Sequence, residues 1–314
     1  MLKLFLRRVL QCIPVLVVVS IICFFIVFLA PGEPADNYRG NEMTNEQFEK
    51  IKKDQGLDKT IIIQYLRWAK NVCSGDLGYS MTKSKPVITL IADRILPTIT
   101  IMLMTILISV VVSILLGLVS GYMENSIVDK IISVVTTVGI SIPSVWLAMI
   151  LVIVFSLKLG FFPSSGMRTS GVMSFTDLVR HSVLPIATLT FPKISSYTRY
   201  VRASVITECK QLYVQTAIAK GISTRKIIFS HILKNSVLTL ITLVGMNMGS
   251  LVMGTFIVEN IFGWPGLGTL AFVAINSRDF PLVMGTTMLS CMMLVCGNIL
   301  ADLLYCVVDP RIRS

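Results

Sequence analysis

The sequence predicts an all-α polytopic membrane protein with six membrane-spanning helices. Three observations carry that prediction. Charged residues make up only 14% of the 314 residues, and the mean hydropathy is +0.78, whereas a soluble domain carries about a quarter charged residues. Six long apolar runs recur along the chain, near 9–30, 95–121, 131–157, 183–198, 236–258 and 282–307, and a spanning helix needs roughly 20 such residues. No series of alternating ten-residue strands suggests a barrel, and lipid leaves backbone polar groups no partner outside a helix or a closed barrel.

The first run follows Lys3, Arg7 and Arg8. A cleavable signal has an apolar region of only about 7–15 residues, so this longer run reads as a retained first helix, residues 1–30. Residues 31–94 hold ten basic and nine acidic residues and form an extracytoplasmic insertion. Within it Thr44-x-x-Gln47 is a capping-box pattern, and Phe48, Ile51 and Gly56 suit a helix over about 45–55. Two readings fit the insertion: a solvated flap over the helix ends, or a docking surface for an external partner. Residues 95–308 make a five-helix core and 309–314 a tail. The fourth run is interrupted by Pro185, Pro192 and Lys193.

Basic residues orient the chain. With the N-terminus inside, the inner segments hold thirteen Lys and Arg against four acids, while the short outer loops hold Arg168, Arg180 and Arg278, with Lys158 at the end of the third run, against Asp177, Glu259 and Asp279. That asymmetry puts both termini in the cytoplasm. It also explains the net charge of +11 without nucleic acid. Seven cysteines form no CxxC pair, and His181 and His231 stand far apart in sequence. Neither a disulfide framework nor a metal site is indicated.

In this topology the longest inner loop, 199–235, contains the polar, basic stretch YVQTAIAKGISTRKIIFSHILKN. Tyr213 to Lys220 reads as a short helix whose Ala217 and Ala219 keep part of the surface small. Gly221 breaks it, Ser223 or Thr224 caps a second helix, and Ile227, Ile228, Ile232 and Leu233 give that helix an apolar face. Two short helices joined at a glycine suit helix-in-groove recognition by a cytosolic partner. The other reading is an amphipathic connector on the inner leaflet, held by its basic residues.

QTAIAKG with HIL beyond it resembles the cytoplasmic EAA loop of permease subunits of ABC importers. Gln215, Thr216 and Ala217 stand where that pattern has Glu, Ala and Ala, with Gly221 at its glycine and Leu233 at its leucine. The sequence departs from it at Gln215 and at Lys234, which replaces the expected proline. Over nearly the whole chain the sequence is similar to permeases of the dipeptide, oligopeptide and nickel importers, through APGEPAD, GLDKTIIIQYLRW, GDLGYS, SIPSVWLA, VENIFGWPGLG, RDFP and DPRIR. The resemblance implies the type I (MetI-like) ABC importer permease fold. It implies coupling through Tyr213, Gln215, Thr216, Ala217, Lys220, Gly221 and Leu233. It further implies four partners: a companion permease, two cytosolic ATPase subunits that use ATP and Mg, and an external substrate-binding protein. This chain is expected to be no enzyme and to bind no cofactor, because it has no G-x-x-x-x-G-K-[ST] and no Gly-Lys dipeptide.

Ionisable residues inside spans are costly, about 2.5–3.5 kcal/mol on insertion scales, and point to function. Lys193 either lines the pathway or snorkels and bonds carbonyls freed at Pro192. Asn298 and Asp302, four apart, serve interhelical bonding or touch substrate. Met284, Met288 and Met292 share a face and read as packing or as soft-metal ligands. Gly263, Trp264, Pro265, Gly266 and Gly268 break the helix after 262, making a plain turn or, by the resemblance, part of an outer gate. An ion-coupled carrier is the rival class. It needs membrane carboxylates, and Asp302 is the acid that lies well inside a run. A scaffold anchoring cytosolic proteins would explain the basic loop but not Lys193. The expected cargo is peptide, with nickel or a metal chelate as the alternative.

Overall fold

The computed structural model describes residues 2–29, 59–80, 82–246 and 248–308. The helix expected at 45–55 and the tail 309–314 lie outside those residues. The chain divides into two compact units, one built on Ile99–Trp264, the other on Leu6–Thr98 with Pro265–Val295. Described residues are overwhelmingly helical, with one two-stranded hairpin.

In the second unit, α1 (Leu2–Leu29) is followed by α2 (Ile61–Cys73), then by β1 (Tyr79–Ser80) paired antiparallel with β2 (Lys85–Pro86), Ser80 opposite Lys85. α3 runs Val87–Tyr122, so it begins eight residues before the expected start of the second span and takes in Asp93 and Arg94. The polar turn belongs to the helix because Val87 and Ile91 face a core with Leu267, Leu270, Ala274 and Leu282. α11 (Leu267–Asn276) starts at a buried anchor, the Leu267 N–H donating to Thr98 Oγ1 at 2.8 Å. α12 spans Phe280–Val308. Its start is tied to the hairpin by Asp279, a buried carboxylate whose Oδ2 accepts from Ser80 Oγ (2.6 Å), Thr82 Oγ1 (2.7 Å) and Thr82 N–H (3.2 Å).

In the first unit, α4 (Ile127–Ser141) is capped by Ser126, whose hydroxyl accepts from the Asp129 N–H. The run 131–157 is not one straight span. Ile142 is extended before Pro143, where α4 ends, and α5 (Ser144–Leu151), which widens into a π-helix over Val152–Lys158, departs at 104°. α6 (Phe175–Cys209) runs through Pro185 and Pro192 and continues eleven residues past 198, so the inner loop is shorter than expected. It packs against α4 and α5, and also against α9 (Leu233–Met246) and α10 (Met248–Ile261). At its start His181 is buried, Nε2 3.2 Å from Thr169 Oγ1 and Nδ1 3.1 Å from the Gly166 carbonyl. Thr169 also donates its N–H and hydroxyl to Asp177, holding that carboxyl below its ordinary pKa.

By length and composition, Leu10–Leu29, Val87–Tyr122 and Phe280–Leu300 are able to cross a membrane, and the bent α4–α5 pair makes a fourth. The runs 183–198 and 236–258 lie in α6, which interleaves Thr, Ser and Lys193 with its apolar residues, and in α9 and α10, each 14 residues long.

Candidate functional site

The stretch from Cys209 to Leu233 folds as two helical pieces about a glycine. α7 spans Leu212–Ala219 and ends in a paired-bond stop. The Gly221 N–H donates to the Ile218 carbonyl at 2.9 Å and the Ile222 N–H to the Ala217 carbonyl at 3.1 Å, with Gly221 at φ +69°. Ile222 then packs on the same core as Ala217, the hydrophobic contact that usually accompanies this stop. The second piece, α8 (Thr224–Ile227), begins after Ser223, in the N-cap position but without a side-chain cap bond. It is not a separate short helix. It widens over Ile228–Ile232 and runs directly into α9, because Ile227 and Ile232 are buried against Tyr197, Val201 and Leu240 and hold the register without a break.

α7 is split between two surroundings. Val214 and Ala217 are buried beside Val201 and Val205, while Leu212, Tyr213, Gln215, Thr216, Ile218 and Lys220 are exposed. Of the residues expected to meet a partner, Ala217 and Leu233 instead face this chain's own core; the small methyl of Ala217 lets α7 close on α6. Gln215 Nε2 donates to the Lys210 carbonyl at 3.4 Å and Thr216 Oγ1 to the Leu212 carbonyl at 2.9 Å. The Tyr213 hydroxyl donates to Glu208, and Asn235 Nδ2 reaches both the Tyr213 hydroxyl (3.0 Å) and Glu208 Oε2 (3.1 Å). The triangle joins the end of α6, the start of α7 and the start of α9. Burial first, and the Glu208 carboxylate second, push the Tyr213 hydroxyl pKa up, so it stays a neutral donor.

The base under this segment was not foreseen. Asp129, 2% exposed, receives Arg202 Nε at 2.6 Å and Nη2 at 2.8 Å, Ser120 Oγ at 2.6 Å and the Asn125 N–H at 2.9 Å. Two glycines of α3 make room for α6 just there. A Cβ on Gly117 would lie 2.6 Å from Val201, and one on Gly121 2.7 Å from Val205 and 2.9 Å from the Arg202 carbonyl. The spacing Ser126-x-x-Asp129 signals the helix cap; Arg202, 73 residues away, has no local signature.

The remaining candidates occupy other places. Lys193 is half-buried on α6, Asn298 is exposed on α12, and Asp302 lies one turn further along α12. Met284 is buried whereas Met292 is 49% exposed, so their helical face does not have one environment. Gly263 sits at φ +56° in a second paired-bond stop, the Trp264 N–H donating to the Glu259 carbonyl at 2.8 Å. Trp264 and Phe262 are fully buried with Val258, Leu184 and Ala148. The helix resumes at Leu267, so Gly268 lies inside α11 rather than in the break. Glu259 and Asp279, counted above as outer-loop acids, are buried. Among the described residues no cluster of His, Cys, Asp and Glu could hold a metal, and the six described cysteines are free thiols.

Two family descriptions match end to end. "Binding-protein-dependent transport system inner membrane component" covers residues 113–314, and its N-terminal counterpart covers residues 1–105. The chain is similar to the oligopeptide transport system permease protein AppB of Bacillus subtilis, 35% identical over 98% of each chain. It is also similar to a putative peptide permease protein of Brucella suis, 36% identical over 100% of this chain and 99% of the other. The glutathione transport system permease protein GsiC of Pectobacterium atrosepticum is 33% identical over the same shares. The chain therefore belongs to the family of binding-protein-dependent transport system inner membrane components, as an ABC importer permease of the peptide family.

Proposed function

We propose that this chain is a multi-pass permease subunit of an ATP-driven importer and forms half of a membrane pathway for peptides. Three relatives at 33–36% identity are named for oligopeptide, peptide and glutathione transport, which favours peptide over nickel. The observation that carries the mechanism is the two-sided α7. Val214 and Ala217 lock it to α6 while Leu212, Gln215, Thr216 and Ile218 stand exposed, as a helix must that enters a partner's groove.

In this reading the chain crosses the membrane six times with both termini in the cytoplasm, and the segment after α1 is extracytoplasmic. A companion permease completes the pathway. Two cytosolic ATPase subunits bind ATP and Mg, and an external binding protein delivers the substrate. ATP binding closes the ATPase pair, α7 moves with it, and its rigid tie to α6 converts that displacement into helix tilts that open the pathway. Lys193, Asn298 and Asp302 are the pathway candidates. Gly263, Trp264, Pro265, Gly266 and Gly268 are the outer-gate candidates, the first four supported by the irregular backbone between the two helices there.

Purification of the full complex with a cysteine at Gln215 tests the assignment. A cross-link from that position to the ATPase, with ATP-dependent uptake of labelled peptide by the binding protein's vesicle system, is expected. Uptake by the lone chain driven by an ion gradient would replace this reading with a secondary carrier. Uptake of nickel but not of peptide would correct the substrate class alone.

A further inference from the structure

The helix α2, IIIQYLRWAKNVC, has two faces. Ile62, Tyr65, Leu66, Trp68 and Val72 fall on one arc, and Gln64, Arg67, Lys70 and Asn71 on the opposite one. None of its residues is buried. One flank of the apolar arc rests on α1. The Tyr65 hydroxyl is 2.9 Å from Ser20 Oγ, which donates to the Val17 carbonyl at 2.7 Å. The Phe24 ring lies 5.5 Å from the Tyr65 ring and 5.8 Å from the Trp68 ring. The other flank is open, with Ile62 63% and Leu66 60% exposed.

The depth of those contacts decides what covers the open flank. Ser20 lies nine residues before Leu29, the end of the apolar span Leu10–Leu29, which is about 14 Å along the helix; Phe24 lies about 8 Å from that end. A helix standing in water above the bilayer would not reach side chains so far down. At the same depth the opposite face of α1 is apolar and open, with Ile22 and Ile26 at 51% and 63% exposure, and Ile21 on its side is 37% exposed, so α2 rests on a helix whose remaining surface suits lipid. The polar hydroxyls at this depth satisfy each other, as a site without water demands.

We infer that α2 is an interfacial helix, lying in the bilayer against the Leu29 half of α1, with Ile62 and Leu66 among the acyl chains and Arg67 and Lys70 at the phosphate headgroups. Tyr65 and Trp68 are the amphipathic aromatics that suit this depth, and long basic side chains reach headgroups while their stems stay apolar. The segment around α2 is then neither a free flap nor a protein-docking surface. It is anchored to lipid. This holds whatever the transported substrate.

Placing a diazirine-bearing amino acid singly at Ile62, Leu66, Asn71 and Ile22 in the full chain, in native membranes with its partner subunits, tests the inference. Ile22 is the lipid-facing reference and Asn71 the polar one. After illumination, phospholipid adducts at Ile62 and Leu66 in yield comparable to Ile22, with little at Asn71, are expected by mass spectrometry. Adducts to another protein at Ile62 and Leu66, or the water-quenched product alone while Ile22 labels lipid, would overturn it.

Discussion

Arg202 grips both carboxylate oxygens of Asp129, Nε to Oδ1 at 2.6 Å and Nη2 to Oδ2 at 2.8 Å. This fork joins the start of α4 to the C-terminal part of α6, seven residues before α6 ends and ten before α7 begins. Whatever pushes α7 therefore pushes a helix held by a charged, two-point clamp and by a close glycine contact.

Breaking that clamp from one side leaves a buried charge. Arg202→Met is expected to cost about 3 kcal/mol, the low end for an orphaned buried ion, because Arg202 keeps 30% side-chain exposure. Asp129→Asn combined with Arg202→Met removes both charges and should recover part of the loss. Thermal unfolding of the purified complex measures both. Equal destabilisation by the single and double variants would show that the pair contributes nothing beyond packing.

Gly221 is constrained by its backbone and not by space: a Cβ there meets nothing within 4 Å, while φ is +69°. Size alone should then matter little. Gly221→Asn, which tolerates the left-handed region, should keep coupled uptake. Gly221→Val should lose it through a strain of about 1–2 kcal/mol at the α7 stop, with ATP hydrolysis continuing uncoupled. Uptake and hydrolysis measured together on both variants decide the point, and normal uptake by Gly221→Val would count against the role of the stop.

Two close glycine contacts predict different rescues. A Cβ on Gly285 would lie 2.6 Å from Val87 Cγ1 but 3.9 Å from Val87 Cβ, whereas one on Gly117 would lie 2.6 Å from Val201 Cβ itself. Each Gly→Ala change should destabilise by about 1–3 kcal/mol as overpacking. Val87→Ala should relieve Gly285→Ala, while Val201→Ala should not relieve Gly117→Ala. Melting temperatures of the four variants give the comparison.

Asp279 gathers three donors from the hairpin on one oxygen, and Ser80 is fully buried beside it. Asp279→Leu strands those hydroxyls, at about 1–3 kcal/mol for a buried group left unbonded. The hairpin should then become the first site of limited proteolysis, at Thr82–Lys85, before global unfolding. Unchanged protection there would assign the carboxylate a lesser role.

The parts of this protein that a linear reading reached are those whose cause is local. Apolar runs mark helices because lipid or core must cover them. Gly221 and Gly263 mark helix stops because a left-handed residue is needed at that position, and both do end helices with the same pair of bonds. The membrane character and the two-sided segment after residue 209 follow from such signals. Helix ends were missed where packing extends a helix into polar sequence, as at Val87 and at Cys209. The inward turn of Ala217, the burial of Glu259 and the partners of Asp129 and Asp279 were decided by tertiary structure alone. Asp129 and Arg202 are 73 residues apart, and Ser80 and Asp279 are 199 apart. A charge carries no mark of its distant partner, so its role appears only when folding brings the two within hydrogen-bonding range and excludes the water that would otherwise compete.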